Sequence, residues 1–136
     1  NYRLIFNSNL YYTKIINSQL KENIMQNNNY DKDCIFCKII NGEIPSKFIK
    51  ENEYCVVFAD LHPKAKVHLL VVPKKHFKDI MGTEEFYINK IFETIKEVAK
   101  EQNLSSFRIV NNCGKGAGQS VFHVHFHVLS GDNLKE

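Results

Sequence analysis

The sequence predicts an α+β domain: a five-stranded antiparallel sheet with one long helix and a short N-terminal helix. Three observations predict it. Read along the chain, the elements fall in the order helical turn, three strands, one long helix, two strands, an arrangement that implies an antiparallel sheet with helices laid on it. Residues 83–102 carry apolar side chains at helical spacing. The chain has 136 residues and 43% hydrophobic content, which suits one domain with a modest core.

Residues 1–33 are rich in Asn and Tyr and contain neither Gly nor Pro. They are expected to be an extension, flexible or artefactual, with Met25 as a candidate internal start. The folded domain is expected over 34–131, with 132–136 as a short tail. Ile35 to Ile40 suits one or two helical turns, punctuated by Gly42 and Pro45. Phe48 to Lys50 and Tyr54 to Ala59 read as two strands around the polar turn Glu51-Asn52-Glu53. Val67 to Val72 is a nearly continuous apolar run of strand length, stopped by Pro73. Thr83 is placed to cap the long helix, with Glu84 and Glu85 complementing its positive end. Ile88, Ile91, Phe92, Ile95, Val98 and Ala99 form its apolar face. Phe107 to Val110 and Val121 to Leu129 are the last two strands, joined by a loop with three glycines.

Charge and cysteine usage exclude several classes. The net charge is +3, almost all of the basic residues are Lys, and only Arg3 and Arg108 offer a guanidinium. Base readout favours Arg forks, so a nucleic-acid partner is not expected. No run approaches the roughly 20 apolar residues of a membrane span, so no membrane partner is expected either. The first twenty residues lack a continuous apolar segment of the secretory kind. A reducing, cytoplasmic or nuclear location is the expectation, and in such a compartment C-x-x-C reads as metal or redox chemistry.

The most specific feature is His123-Val124-His125-Phe126-His127-Val128-Leu129. Strand side chains alternate, so the three imidazoles share one face and Val124, Phe126 and Val128 the other. Three readings compete. The histidines are the polar face of an amphipathic strand; or they bind one metal, which the ~13 Å between the outer two opposes; or the middle one is a nucleophile or base and its neighbours assist. The preceding loop, Asn112 to Ser120, offers backbone N–H groups for an anion and a hydroxyl. His68, on the Val67–Val72 strand, is a fourth imidazole that could converge there.

Cys34 and Cys37 have the spacing of half a tetrahedral zinc site. His76 and His123 are the candidates to complete it, and two free thiols are the alternative. Cys55 reads as a small core residue, and Cys113 sits in the glycine loop.

These residues resemble the histidine triad (HIT) family, in particular its Hint branch, also called protein kinase C interacting protein or inhibitor. The resemblance runs from about Cys34 to Gly131. It rests on Cys34-Ile35-Phe36-Cys37-Lys38-Ile39-Ile40, Gly42-Glu43-Ile44-Pro45, Val57-Phe58-Ala59-Asp60-Leu61, His68 to His76, and Gly118 to Leu129 with its H-φ-H-φ-H-φ-φ signature. It implies a HIT-like fold and a purine nucleoside phosphoramidase that releases AMP through a nucleotidyl-histidine intermediate. The alternatives it leaves are a dinucleoside polyphosphate hydrolase and a zinc-containing nucleotide-binding regulatory protein with little turnover. By this resemblance His125 is the nucleophile, His127 and His68 steady phosphate oxygens or the leaving group, and Ser120 bonds the leaving amine. Asn112 and the backbone at Gly118 and Gln119 hold the phosphate, and Asp60 takes the ribose hydroxyls. Ile35, Phe36, Ile39, Phe58, Leu61 and Leu70 form an apolar slot for a purine. The resemblance also implies structural zinc on Cys34, Cys37, His76 and His123, no organic cofactor, and a homodimer through the long helix and the strand near Phe107. The ligand it implies is a purine nucleoside monophosphate or phosphoramidate.

Overall fold

A polar turn and an apolar run build the first half of the sheet. In the computed structural model, residues 29–132 and residue 134 are described. The expectation for residues 1–28 lies outside the described residues. Helix α1 (Ile35–Ile40) is followed by β1 (Lys50–Glu51), β2 (Cys55–Ala59) and β3 (Val67–Pro73). Helix α2 (Glu85–Glu101) then leads to β4 (Arg108–Val110) and β5 (Phe126–Ser130). The strand order is β1-β2-β3-β5-β4, with every pairing antiparallel. This is the predicted α+β architecture.

The long apolar run of β3 is explained by burial on both faces. Leu69 and Val71 point toward α2, where they join Cys55, Val57, Ile91, Ile95, Val98, Val124, Phe126 and Val128. Leu70 and Val72 point the other way and pack with Val56, Phe58 and the α1 residues Cys34, Phe36 and Cys37. The long helix therefore covers one face, and the C-x-x-C segment covers part of the other. His68 shares its face with Leu70 and Val72, which leaves the imidazoles on the side away from α2. Ile91 is wholly buried between α2 and the sheet. Ile91→Ala should lower unfolding free energy by roughly 2–5 kcal/mol in a denaturant titration.

Several details differ from expectation, among them β1, which falls at Lys50–Glu51 instead of Phe48 to Lys50. Thr83 does not cap α2: its hydroxyl donates to the Asp79 carbonyl at 2.7 Å, and Glu84 takes the capping position without a side-chain bond. On α2, Thr94 is buried whereas Phe92 is exposed, because the covered stripe runs through Ile91, Thr94, Ile95, Val98 and Ala99. Thr94 tolerates burial because its hydroxyl donates to the Lys90 carbonyl and accepts from the Asn52 amide. The last strand begins at Phe126 rather than Val121, so His123 and His125 lie on irregular backbone. Finally, contacts with the domain begin before Cys34: the Asn29 carbonyl accepts from the His76 N–H, and the Tyr30 hydroxyl donates to Glu43. No helix among the described residues is long and apolar enough to cross a membrane.

Candidate active site and metal centre

The sheet face opposite α2 carries two rows of side chains into one cavity of about 950 Å³. One row runs across four strands as Phe58, Leu70, His127 and Val110; the next runs as His68, Leu129 and Arg108. Helix α1 contributes Ile35, Phe36 and Ile39 to the wall, and the β2–β3 loop contributes Asp60 and Leu61. Asn112, Gly118, Ser120 and His125 line the same space, as do Asp132 and Leu134 from the expected tail. A cavity of this size, mostly apolar with a few convergent polar groups, has the character of a small-molecule site.

Hydrogen-bond partners assign the ring protons. The Lys64 backbone N–H donates to His68 Nδ1 at 3.1 Å, so the His68 proton sits on Nε2. That Nε2 lies 2.8 Å from His127 Nδ1 and donates to it, which places the His127 proton on its own Nε2. His125 Nδ1 donates to the His123 carbonyl at 2.7 Å, leaving Nε2 with a bare lone pair. One imidazole thus presents a bare lone pair and its neighbour an N–H. Burial lowers the pKa of His125, and burial with the neighbouring His125 and His68 lowers that of His127 to about 4, against the pull of Asp60.

This sets a pH expectation. His125 and His127 stay uncharged as pH falls through the ordinary histidine value near 6.5, so the acid limb of kcat/KM should lie below 6.5. A limb at 6.5 would contradict the assignment. The unfolded chain takes up these protons first. The stability that the neutral histidines contribute is therefore complete above about pH 6.5 and is lost as pH falls toward 4.

Three expected site residues behave differently in detail. The Gly118 and Gln119 backbone N–H groups donate to the Lys115 and Gly114 carbonyls, so they are not free for an anion. The glycine loop closes on itself as a tight turn, Lys115–Ala117, ended by Gly118 at φ +93, where a side chain would be strained. Gln119 is buried away from the cavity, where its amide bonds Gly114 N and the carbonyls of Lys78 and Val121. Asp60 accepts from the His62 N–H at 2.8 Å through one oxygen, and its other oxygen lies 3.5 Å from His68 Nε2. Among the residues that sequence reasoning missed is Asn111, whose amide donates to the His125 carbonyl at 2.9 Å. The signal was there: an amide at the end of β4, beside the triad.

Cys34, Cys37, His76 and His123 converge with all donor atoms within 4.8 Å of one another. His123 Nδ1 lies 3.3 Å from Cys34 Sγ, 3.5 Å from Cys37 Sγ and 3.2 Å from His76 Nδ1. Its Nε2 donates to the Pro73 carbonyl at 2.8 Å, so Nδ1 is unprotonated and available as a ligand. The hydrogen bond from Cys37, together with His123, holds the Cys34 thiol below its ordinary value. Its thiolate partner and burial push Cys37 up. The pair thus accommodates one negative charge, and a dication would allow a second. Donor chemistry and spacing both fit tetrahedral zinc.

A model of the HIT domain matches residues 41–134. The chain belongs to the HIT family. A HIT-like protein of Methanocaldococcus jannaschii is 49% identical over 100 residues, covering 71% of this chain and 77% of its own. A HIT-like protein of Helicobacter pylori is 44% identical, covering 72% and 96%. Among solved structures, a histidine triad protein from Clostridium difficile superposes with a TM-score of 0.74 at 42% identity, covering 78% of this chain and 96% of its own. A HIT family hydrolase from Legionella pneumophila gives 0.72 at 36% identity, covering 76% and 96%. A histidine triad nucleotide-binding protein from Candida albicans gives 0.68 at 36% identity, covering 71% and 73%. In this HIT domain the signature histidines divide their work: His123 joins the cysteines, and His125 and His127 face the cavity.

Proposed function

We propose that the protein is a purine nucleoside phosphoramidase of the Hint type, acting through a nucleotidyl-histidine intermediate. The observation that carries this reading is the 2.7 Å bond from His125 Nδ1 to the His123 carbonyl, which directs a bare Nε2 to its reaction. That its structural relatives include a HIT family hydrolase and a histidine triad nucleotide-binding protein supports the class. The purine lies against the apolar wall that Ile35, Phe36, Ile39, Phe58, Leu61 and Leu70 build. Asp60 takes the ribose hydroxyls through the oxygen turned from His62. Asn112 and His127 hold the phosphate, and Ser120 bonds the leaving nitrogen. His68, whose two ring nitrogens are taken by the Lys64 N–H and by His127, orients His127 instead of touching the phosphate itself.

His125 Nε2 attacks the α-phosphorus. A P–N bond to the imidazole forms and the bond to the amine breaks; His127 Nε2–H hydrogen-bonds the departing group, and the amine takes its proton from solvent. Water then attacks the same phosphorus, displaces His125 Nε2, returns a proton to solvent and releases the nucleoside monophosphate. Zinc on Cys34, Cys37, His76 and His123 would hold the C-x-x-C segment to the sheet. A homodimer through α2 and β4 is supported by the open edge of β4 and by exposed Phe92, Phe107 and Ile109. A reducing compartment suits a thiolate centre. The test is a side-by-side assay of an adenosine phosphoramidate and a diadenosine polyphosphate. Preferential release of AMP from the first supports the proposal. Preference for the second, or binding without turnover, replaces it with a polyphosphate hydrolase or a binding protein.

A further inference from the structure

We infer that the cysteine–histidine centre is a positioning device for the nucleophile, so that filling it sets the catalytic rate constant. The inference rests on His125 being the nucleophile proposed above. None of the four ligands lines the cavity, so they act only through other residues.

Two connections lead from the centre to His125. The first is the His123 backbone. The His123 ring is wholly buried and fixed at both nitrogens, by the Pro73 carbonyl on one side and by the sulfurs and His76 on the other. Its own carbonyl is the acceptor that keeps the proton on His125 Nδ1. That carbonyl lies before β5 begins, and apart from the ring its peptide is held by one backbone bond, from the Val124 N–H to the Phe77 carbonyl at 2.7 Å, next to the ligand His76. The ring anchor is therefore the second of two restraints on that peptide, and both start at the centre. The second connection is Phe36, which lies between Cys34 and Cys37 in the sequence. Its ring meets His125 edge to face at 5.1 Å and His123 at 5.9 Å. The spacing that lets two thiols share one ion also stands an aromatic ring against the nucleophile. If the centre is opened, both supports loosen and the His125 proton is free to move to Nε2, which removes the attacking lone pair. Loss of supporting interactions of this kind typically costs about 10- to 100-fold.

The test uses the full chain at 10 °C in three forms: zinc-loaded, treated with a chelator, and His76→Gln. For each, kcat and KM for the phosphoramidate, AMP affinity and the His125 tautomer by long-range nitrogen–proton NMR are measured. The expected result for the two depleted forms is a folded protein with AMP affinity within about threefold. Their kcat falls tenfold or more, and His125 shifts toward the Nε2-protonated tautomer. Added zinc restores the chelated form but not His76→Gln. An unchanged kcat or tautomer overturns the inference. So does unfolding of both depleted forms, which would make the centre a staple alone. If the loaded protein turns over no phosphoramidate, the proposed activity fails, and the tautomer measurement still decides whether the centre positions His125.

Discussion

His125→Asn should abolish turnover of an adenosine phosphoramidate while leaving AMP binding largely intact. The amide has no ring nitrogen to form the intermediate, yet it can still donate to the His123 carbonyl and fill part of the space. Removal of a covalent nucleophile in a well-built site typically costs on the order of 10⁴- to 10⁶-fold in kcat. Binding should change little, because the apolar slot, Asp60 and His127 are untouched. The check is a single-turnover assay beside a calorimetric titration with AMP. Wild-type protein quenched during turnover should carry a mass increment of one nucleotidyl group, and His125→Asn should carry none. Comparable rates in the two proteins would remove His125 from the nucleophile's place.

Cys37→Ser should lower thermal stability and make it indifferent to zinc. Cys37 is a buried residue of α1 whose sulfur lies within 3.5 Å of the ring nitrogens of both His76 and His123. A serine hydroxyl is a poor ligand at neutral pH. At zinc near 100 times its Kd, binding stabilises the native state by about 2.7 kcal/mol. For a domain of this size that corresponds to roughly 10–20 °C in Tm. Wild-type protein should lose that increment on chelation and regain it with zinc, and Cys37→Ser should show neither change. A Tm that ignores chelator in the wild type would leave the pair as free thiols.

The sheet was readable because each strand obeys a simple burial rule. Val67–Val72 is apolar throughout because both faces are covered, and Val124, Phe126 and Val128 alternate because only one face meets α2. The six slot residues, His68, Asp60, Asn112, Gly118, Ser120, His125 and His127 all line one cavity. Two things escaped. Hydrogen-bond economy inside a loop is invisible to composition: the glycines before Ser120 suggest free amides, but the tight turn uses them internally. Side chains that act on the backbone also leave no pattern. Asn111 and Thr83 differ from their neighbours only in which carbonyl they meet, and that depends on packing rather than on spacing. The role of Thr94 was likewise hidden, since a polar residue is assigned to the outer face until its partners are known.

The remoteness of His123 from the cysteines has a kinetic consequence. His123 lies 89 residues from Cys34 and 86 from Cys37, and their meeting requires β2, β3 and β5 to be in register. Contacts of such long sequence separation form late, because most of the chain must be ordered before they are rewarded. Four-donor zinc capture would thus be a property of the finished domain, because the fourth donor, His123, arrives only with β5. Zinc uptake during refolding should lag behind the recovery of helical signal, and the ion's departure should set the pace of unfolding.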